Sequence, residues 1–155
     1  MTSIQLSARR GGIAFGLKLL TVVNAALYFV AALLHLGVRI PLGFVTLGLP
    51  EPIPPATVVE ALIGAGLAAA AVAQFVHARR ERRLTWAAYV FALAGTVFGL
   101  TVALLRGLQG LDIWIHFVML AGLAGGFVLL SRTTGQLALP QNSRRSSRTA
   151  SYDTP

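Results

Sequence analysis

Pro50-Glu51-Pro52-Ile53-Pro54-Pro55-Ala56-Thr57-Val58-Val59-Glu60-Ala61-Leu62-Ile63-Gly64-Ala65-Gly66 is the stretch on which the architecture turns. Proline lacks a backbone N–H and fixes φ, so prolines at 50, 52, 54 and 55 end any helix that precedes them. The spacing Thr57-x-x-Glu60 before an apolar run is a capping-box pattern, which predicts a helix starting at Thr57. Glu60 then enters a strongly apolar helix within one turn of its start. A carboxylate in that place is either a cap or part of a site.

Working outward, the chain reads as four apolar runs. The first spans about 13–36 after a polar leader, 1–12, that holds Arg9, Arg10 and a Gly11-Gly12 break. It is longer than the apolar core of a cleaved signal peptide and has no small-residue cleavage site after it, so it reads as an uncleaved span. Lys18 near its start can snorkel to headgroups, and Gly37 is placed to end it as a C′ glycine. The loop over 38–56 keeps enough apolar residues to lie on the membrane surface or pack over a bundle. The second span covers 57–76, the third 84–105 and the fourth 112–130. Each is close to or above the roughly 20 residues needed to cross the hydrocarbon core. Residues 133–155 are rich in Ser, Thr and Arg, which predicts a disordered basic tail.

Composition agrees. Of 155 residues, 55% are hydrophobic and 12% charged, with a mean hydropathy of +0.73; soluble domains carry about 25% charged residues. The absence of cysteine excludes disulfides, thiolate metal sites and cysteine nucleophiles. A net charge of +8 is compatible with nucleic acid, but the cations sit at the ends of apolar runs, which argues for topology and against a nucleic-acid partner. Arg9, Arg10, Lys18, Arg79, Arg80, Arg82, Arg83, Arg132, Arg144, Arg145 and Arg148 fall on one side of a four-span chain, and Arg39 and Arg106 on the other. The positive-inside rule makes the first side cytoplasmic. The expectation is an all-α membrane protein: four transmembrane helices in an up-down bundle, both termini cytoplasmic. Trp86 and Trp114 fall where an aromatic belt would place them. The basic 77–83 loop and tail are expected to attract anionic lipid. Ser143, Ser146, Ser147 and Thr149 interleave with the tail arginines, where phosphorylation would weaken that attraction.

Lipid tails give helices no hydrophobic reason to associate, so small residues and buried polar groups should make the contacts. Asn24, Gly64, the pair Gly95 and Gly99, and the pair Gly122 and Gly126 are the packing candidates, within the bundle or between protomers of a homo-oligomer.

The four-span reading places His35, Glu60, Arg106, Asp112 and His116 in one layer near the outer face. Asp112 and His116, four apart, share a helix face. With His35 and Glu60 they form a candidate two-His, two-carboxylate set for a divalent metal; His35 and His116 could instead be paired haem ligands. Four of the five also have a ready structural explanation: Glu60 as a capping acid, Asp112 as an N-cap, His35 as a helix C-terminal cation and Arg106 as a water-boundary marker. His116 has the weakest, since a histidine at that place in a helix start is not a capping residue.

The proline-bearing loop from Leu47-Gly48-Leu49-Pro50, the Glu60-x-x-x-Gly64 start of the second span and the basic loop at 79–83 together resemble the DoxX-like family of small bacterial four-helix membrane proteins. The resemblance covers residues 13–105, and Glu60 and Gly64 are the positions that carry over. It implies a bacterial plasma-membrane protein associated with redox systems, including thiosulfate–quinone chemistry and thiol-stress complexes; the arginine-rich, lysine-poor composition suits a high-GC genome. The expected function is that of a non-catalytic membrane subunit or ligand-binding module, an accessory to a redox complex with a membrane-protein partner. The alternatives are a metal- or haem-binding redox protein and a small transporter.

Overall fold

The computed structural model describes residues 3–49, 51–107 and 110–135. Four helices, α1 (Ser3–His35), α2 (Pro54–Phe75), α3 (Glu81–Leu105) and α4 (Leu111–Gly135), are joined by short turns and by one hairpin, β1 (Ile40–Leu42) and β2 (Val45–Leu47), between α1 and α2. Each helix contains a segment long and apolar enough to cross a membrane: Gly11–His35, Pro54–Phe75, Glu81–Leu105 and Leu111–Thr133. The chain is thus a multi-pass membrane protein by length and composition of its helices.

The exterior is greasy and the polar groups are inside. Phe15, Val58, Phe98 and Leu105 are exposed, while Thr21, Asn24, Glu60, Gln74, Thr85, Thr96, Asp112 and His116 are buried. That inversion is what a hydrocarbon solvent dictates, since polar side chains there must find partners within the protein. The buried seam of α4 runs 112, 116, 119, 123, 126 and 130, alternating steps of four and three. Such a repeat keeps one narrow stripe facing its neighbours and suits helices that cross at a shallow angle.

In packing, α1 lies against α2 and α4, and α3 against α2 and α4. Glycines permit the close contacts. A Cβ on Gly122 would overlap Asn24 Oδ1, one on Gly126 would overlap the Tyr89 ring, and one on Gly95 would overlap Ile63. Gly64 lies against Phe29 and the Ala25 carbonyl, at 3.3 and 3.4 Å from where its Cβ would sit. The packing candidates Asn24, Gly64, Gly95, Gly99, Gly122 and Gly126 all lie at contacts between helices of one chain.

A polar network ties three helices together. Gln74 Nε2 donates to Thr21 Oγ1 at 3.3 Å and to Thr85 Oγ1 at 3.0 Å. Tyr89 and Thr21 hydroxyls meet at 3.1 Å, and Asn24 Nδ2 donates to Tyr89 at 3.5 Å. Farther along α1, Tyr28 bonds Thr96 and donates to the Ala92 carbonyl. The hydrophobic cluster of Leu67, Ala92, Met119 and Leu123 packs around these groups.

Several boundaries differ from the sequence expectation. α1 continues through Gly11-Gly12, so these glycines break nothing; glycine costs a helix only about 1 kcal/mol and has no forced turn. α2 begins at Pro54 rather than Thr57. Prolines 54 and 55 occupy its first two positions, where a missing N–H has no intrahelical acceptor to lose. The loop contains a hairpin whose two-residue turn, Gly43-Phe44, has Gly43 at φ 68°, a conformation glycine adopts without steric cost. α4 continues to Gly135. The proposed tail from 136 on lies outside the described residues.

Candidate functional site

The site forms where α1 ends and α2 and α4 begin. α1 stops in a Schellman turn: Gly37, at φ 91°, donates to the Leu34 carbonyl, and Val38 donates to the Leu33 carbonyl. The returning loop closes on this end, with Ile53 N–H bonded to the His35 carbonyl at 2.8 Å. His35, the last residue of α1, is thereby held with its ring turned into the bundle and 1% exposed.

Both nitrogens of that ring are used. Nδ1 lies 2.7 Å from Glu60 Oε2 and Nε2 lies 3.0 Å from Asp112 Oδ1. One imidazole thus joins three helices through two carboxylates. His116, one turn beyond Asp112 on α4, donates from Nδ1 to the Asp112 backbone carbonyl at 2.8 Å. A carbonyl can only accept, so Nδ1 carries the hydrogen. Nε2 of His116 projects toward Gly99 of α3; a Cβ there would stand 2.8 Å from it. Gly99 therefore makes room for the ring rather than for a second backbone.

These groups line a cavity of about 870 Å³. Its walls are largely apolar, from Val59 and Ile63 on α2, Phe98, Val102 and Ala103 on α3, and Met119 on α4. Tyr28 and Thr96 contribute the hydroxyl pair on its inner side, and Pro52 to Ala56 border it from the loop. Arg106, the C-cap of α3, also lines the cavity but is exposed.

The five predicted residues thus border one cavity, though not all in the manner the sequence suggested. Glu60 is no capping acid: α2 starts a turn earlier with no side-chain cap, and the carboxylate turns to His35 instead. Thr57 Oγ1 only reaches back to the Ile53 carbonyl at 3.5 Å. Asp112 lies in the first turn of α4, where its charge suits the helix dipole, but its side chain also bonds His35. The pattern Thr-x-x-Glu misled because the same spacing serves a cap or a lateral partner; only the position of α1 decides between them. Tyr28, Thr96 and Gly99 were missed as members of the site. Tyr28 shares the buried face of α1 with His35, a signal present in the sequence; Thr96 and Gly99 lie on α3, which carries no histidine, and only the packing of the bundle brings them to the site.

The donor set does not suit the metal and haem readings. With both His35 nitrogens bonded to carboxylates, that ring has no lone pair to give a metal or a haem iron. Among the described residues no group of three or more His, Asp or Glu is arranged to hold a metal ion. What the arrangement does offer is an anionic wall with hydrogen-bond acceptors in an apolar chamber. Comparison with known protein families, with curated proteins and with solved structures finds no match for this chain.

Proposed function

We propose that the protein is a non-catalytic ligand-binding module of a bacterial plasma membrane, with both termini cytoplasmic and the His35 end of the bundle at the outer leaflet. The observation that carries this reading is the convergence of His35, Glu60, Asp112 and His116 on a single cavity of about 870 Å³. Proteins that bind small molecules use an apolar pocket with a few placed polar groups, and this chamber has that composition. The cation distribution supports the orientation, and the DoxX-like resemblance of residues 13–105 supports a role beside a redox complex.

Native mass spectrometry of the protein purified in mild detergent tests the reading. A small molecule should be retained by the natural chain and lost from Gly99→Leu, which fills the cavity at its His116 wall. An empty natural chain that also gains no mass from a cell-membrane lipid extract would refute it. Co-purification of a second membrane protein, with an absorption spectrum, reports separately on the redox-complex assignment.

A second reading, a small transporter, is favoured by one observation. The Thr21–Tyr89–Asn24–Gln74–Thr85 network continues polar side chains from the far end of the bundle toward Tyr28 and Thr96 at the cavity. Uptake into proteoliposomes of the molecule identified by mass spectrometry separates transport from binding.

A further inference from the structure

Resting on the ligand-binding reading, we propose that the cavity selects an organic monocation, a protonated primary amine bearing an apolar group. The argument begins with a proton count. His35 makes one hydrogen bond to Glu60 and another to Asp112, and two such bonds need two protons. If both are on the imidazole, the set is one cation between two anions. If one sits on a carboxyl, the set is a neutral ring, a neutral acid and one anion. Either way the triad carries a net charge of minus one.

His116 does not cancel it. Its Nδ1 hydrogen is committed to the Asp112 carbonyl, and its Nε2 meets no acceptor among the described residues. Nε2 faces the cavity, and a cation held beside the acids disfavours a second proton there, so the form that meets such a ligand has a bare lone pair at Nε2. In that form the ring, 7% exposed, presents an unpartnered acceptor to the cavity. The other two charged residues that line the cavity, Arg106 and Glu51, are opposite in sign, both exposed, and form no ion pair with a described residue.

An uncompensated negative charge in a low-dielectric site favours a cation that enters with its own apolar surface. A hydrated inorganic ion gains little, since the cavity offers mostly Ile63, Val102, Ala103 and Met119. An ammonium head group has three N–H donors. The available acceptors are likewise three: His116 Nε2 and the second oxygens of Glu60 and Asp112, which accept no hydrogen bond from the described residues. The apolar body of the amine would occupy the chamber between α2, α3 and α4.

The test uses the full chain in lipid nanodiscs and three probes with one body and different charge: phenylbutylamine, phenylbutanol and phenylbutyrate. Isothermal titration should show saturable one-to-one binding of the amine, at least about tenfold tighter than the alcohol, and no saturable binding of the carboxylate. Asp112→Asn should weaken the amine by at least about tenfold more than it weakens the alcohol. Because the charge series needs no substitution, it decides the matter even if that variant fails to fold. Equal or tighter binding of the alcohol overturns the amine assignment while leaving the cavity a ligand site. Tighter binding of the carboxylate overturns it in favour of Arg106 as the selecting group. Saturable binding of none of the three overturns it as well, and the mass-spectrometric experiment then decides independently whether the cavity binds anything.

Discussion

His35 shows how much one side chain can be asked to do. It sits at the last turn of α1 and bonds acids from two other helices at 2.7 and 3.0 Å. Removing one member of a buried charged set leaves the others unpaired, which typically costs about 3–5 kcal/mol. His35→Ala should therefore lower unfolding stability in detergent by roughly that amount, because it sets Glu60 and Asp112 face to face without a bridge. Adding Glu60→Gln and Asp112→Asn to His35→Ala should recover part of the loss, since neutral amides no longer repel. A triple-mutant cycle that finds the three changes additive would remove the bridging role. At this scale the sequence showed which residue types lay near one depth. It could not show that the His35 ring bonds both acids, because that depends on the rotation of α1 about its axis.

At the scale of elements, the glycines have different roles that only their neighbours reveal. Gly126 faces the Tyr89 ring, and a methyl there would overlap it. Overpacking of this kind costs typically about 1–3 kcal/mol, so Gly126→Ala should destabilise by that much. Gly66, on α2, has nothing within 4 Å of where its Cβ would be. Gly66→Ala should leave stability unchanged or raise it by up to about 1 kcal/mol through helix propensity. Thermal unfolding of the two variants side by side checks the contrast. Gly37 belongs to a third kind. Its φ of 91° ends α1, and a Cβ would stand 3.1 Å from Pro52. Gly37→Ala should cost at least about 1 kcal/mol and loosen His35, which a ligand-binding assay would register as weaker binding alongside the lower melting temperature. The helices were legible in the sequence as apolar runs with a proline or glycine at their ends. The hairpin was not, because three-residue strands leave too short an alternation and its Gly43-Phe44 turn lies in a loop already dominated by prolines.

Across the whole molecule the governing feature is inversion: apolar outside, polar within. The absence of cysteine makes the sidedness simple to examine. In the proposed orientation a single cysteine at Phe44, which is fully exposed at the hairpin tip, should react with a membrane-impermeant maleimide in intact cells. One at Arg82 should react only after the membrane is opened. The reverse pattern would move the His35 cavity to the cytoplasmic face and overturn the positive-inside assignment. Trp114 is exposed near the start of α4, whereas Trp86 is half-buried against Phe127 at 5.5 Å, so the two tryptophans do not play the same part. One faces the surroundings of the bundle and the other packs between helices.

Composition and periodicity alone determined that four helices long enough to cross a bilayer would form, since a stretch of apolar residues has no other way to satisfy its backbone in lipid. The same reading located the ionisable residues near helix ends, because charges at mid-depth are costly and rare. Tertiary structure decided everything that depends on helix rotation and neighbour distance. It turned Glu60 from a cap into a partner of His35, made Gly99 the space for His116, and left the second oxygens of two acids free in a chamber. A linear pattern specifies which face of a helix is polar, but a hydrogen bond is made over about 3 Å. Only the packed bundle sets that distance.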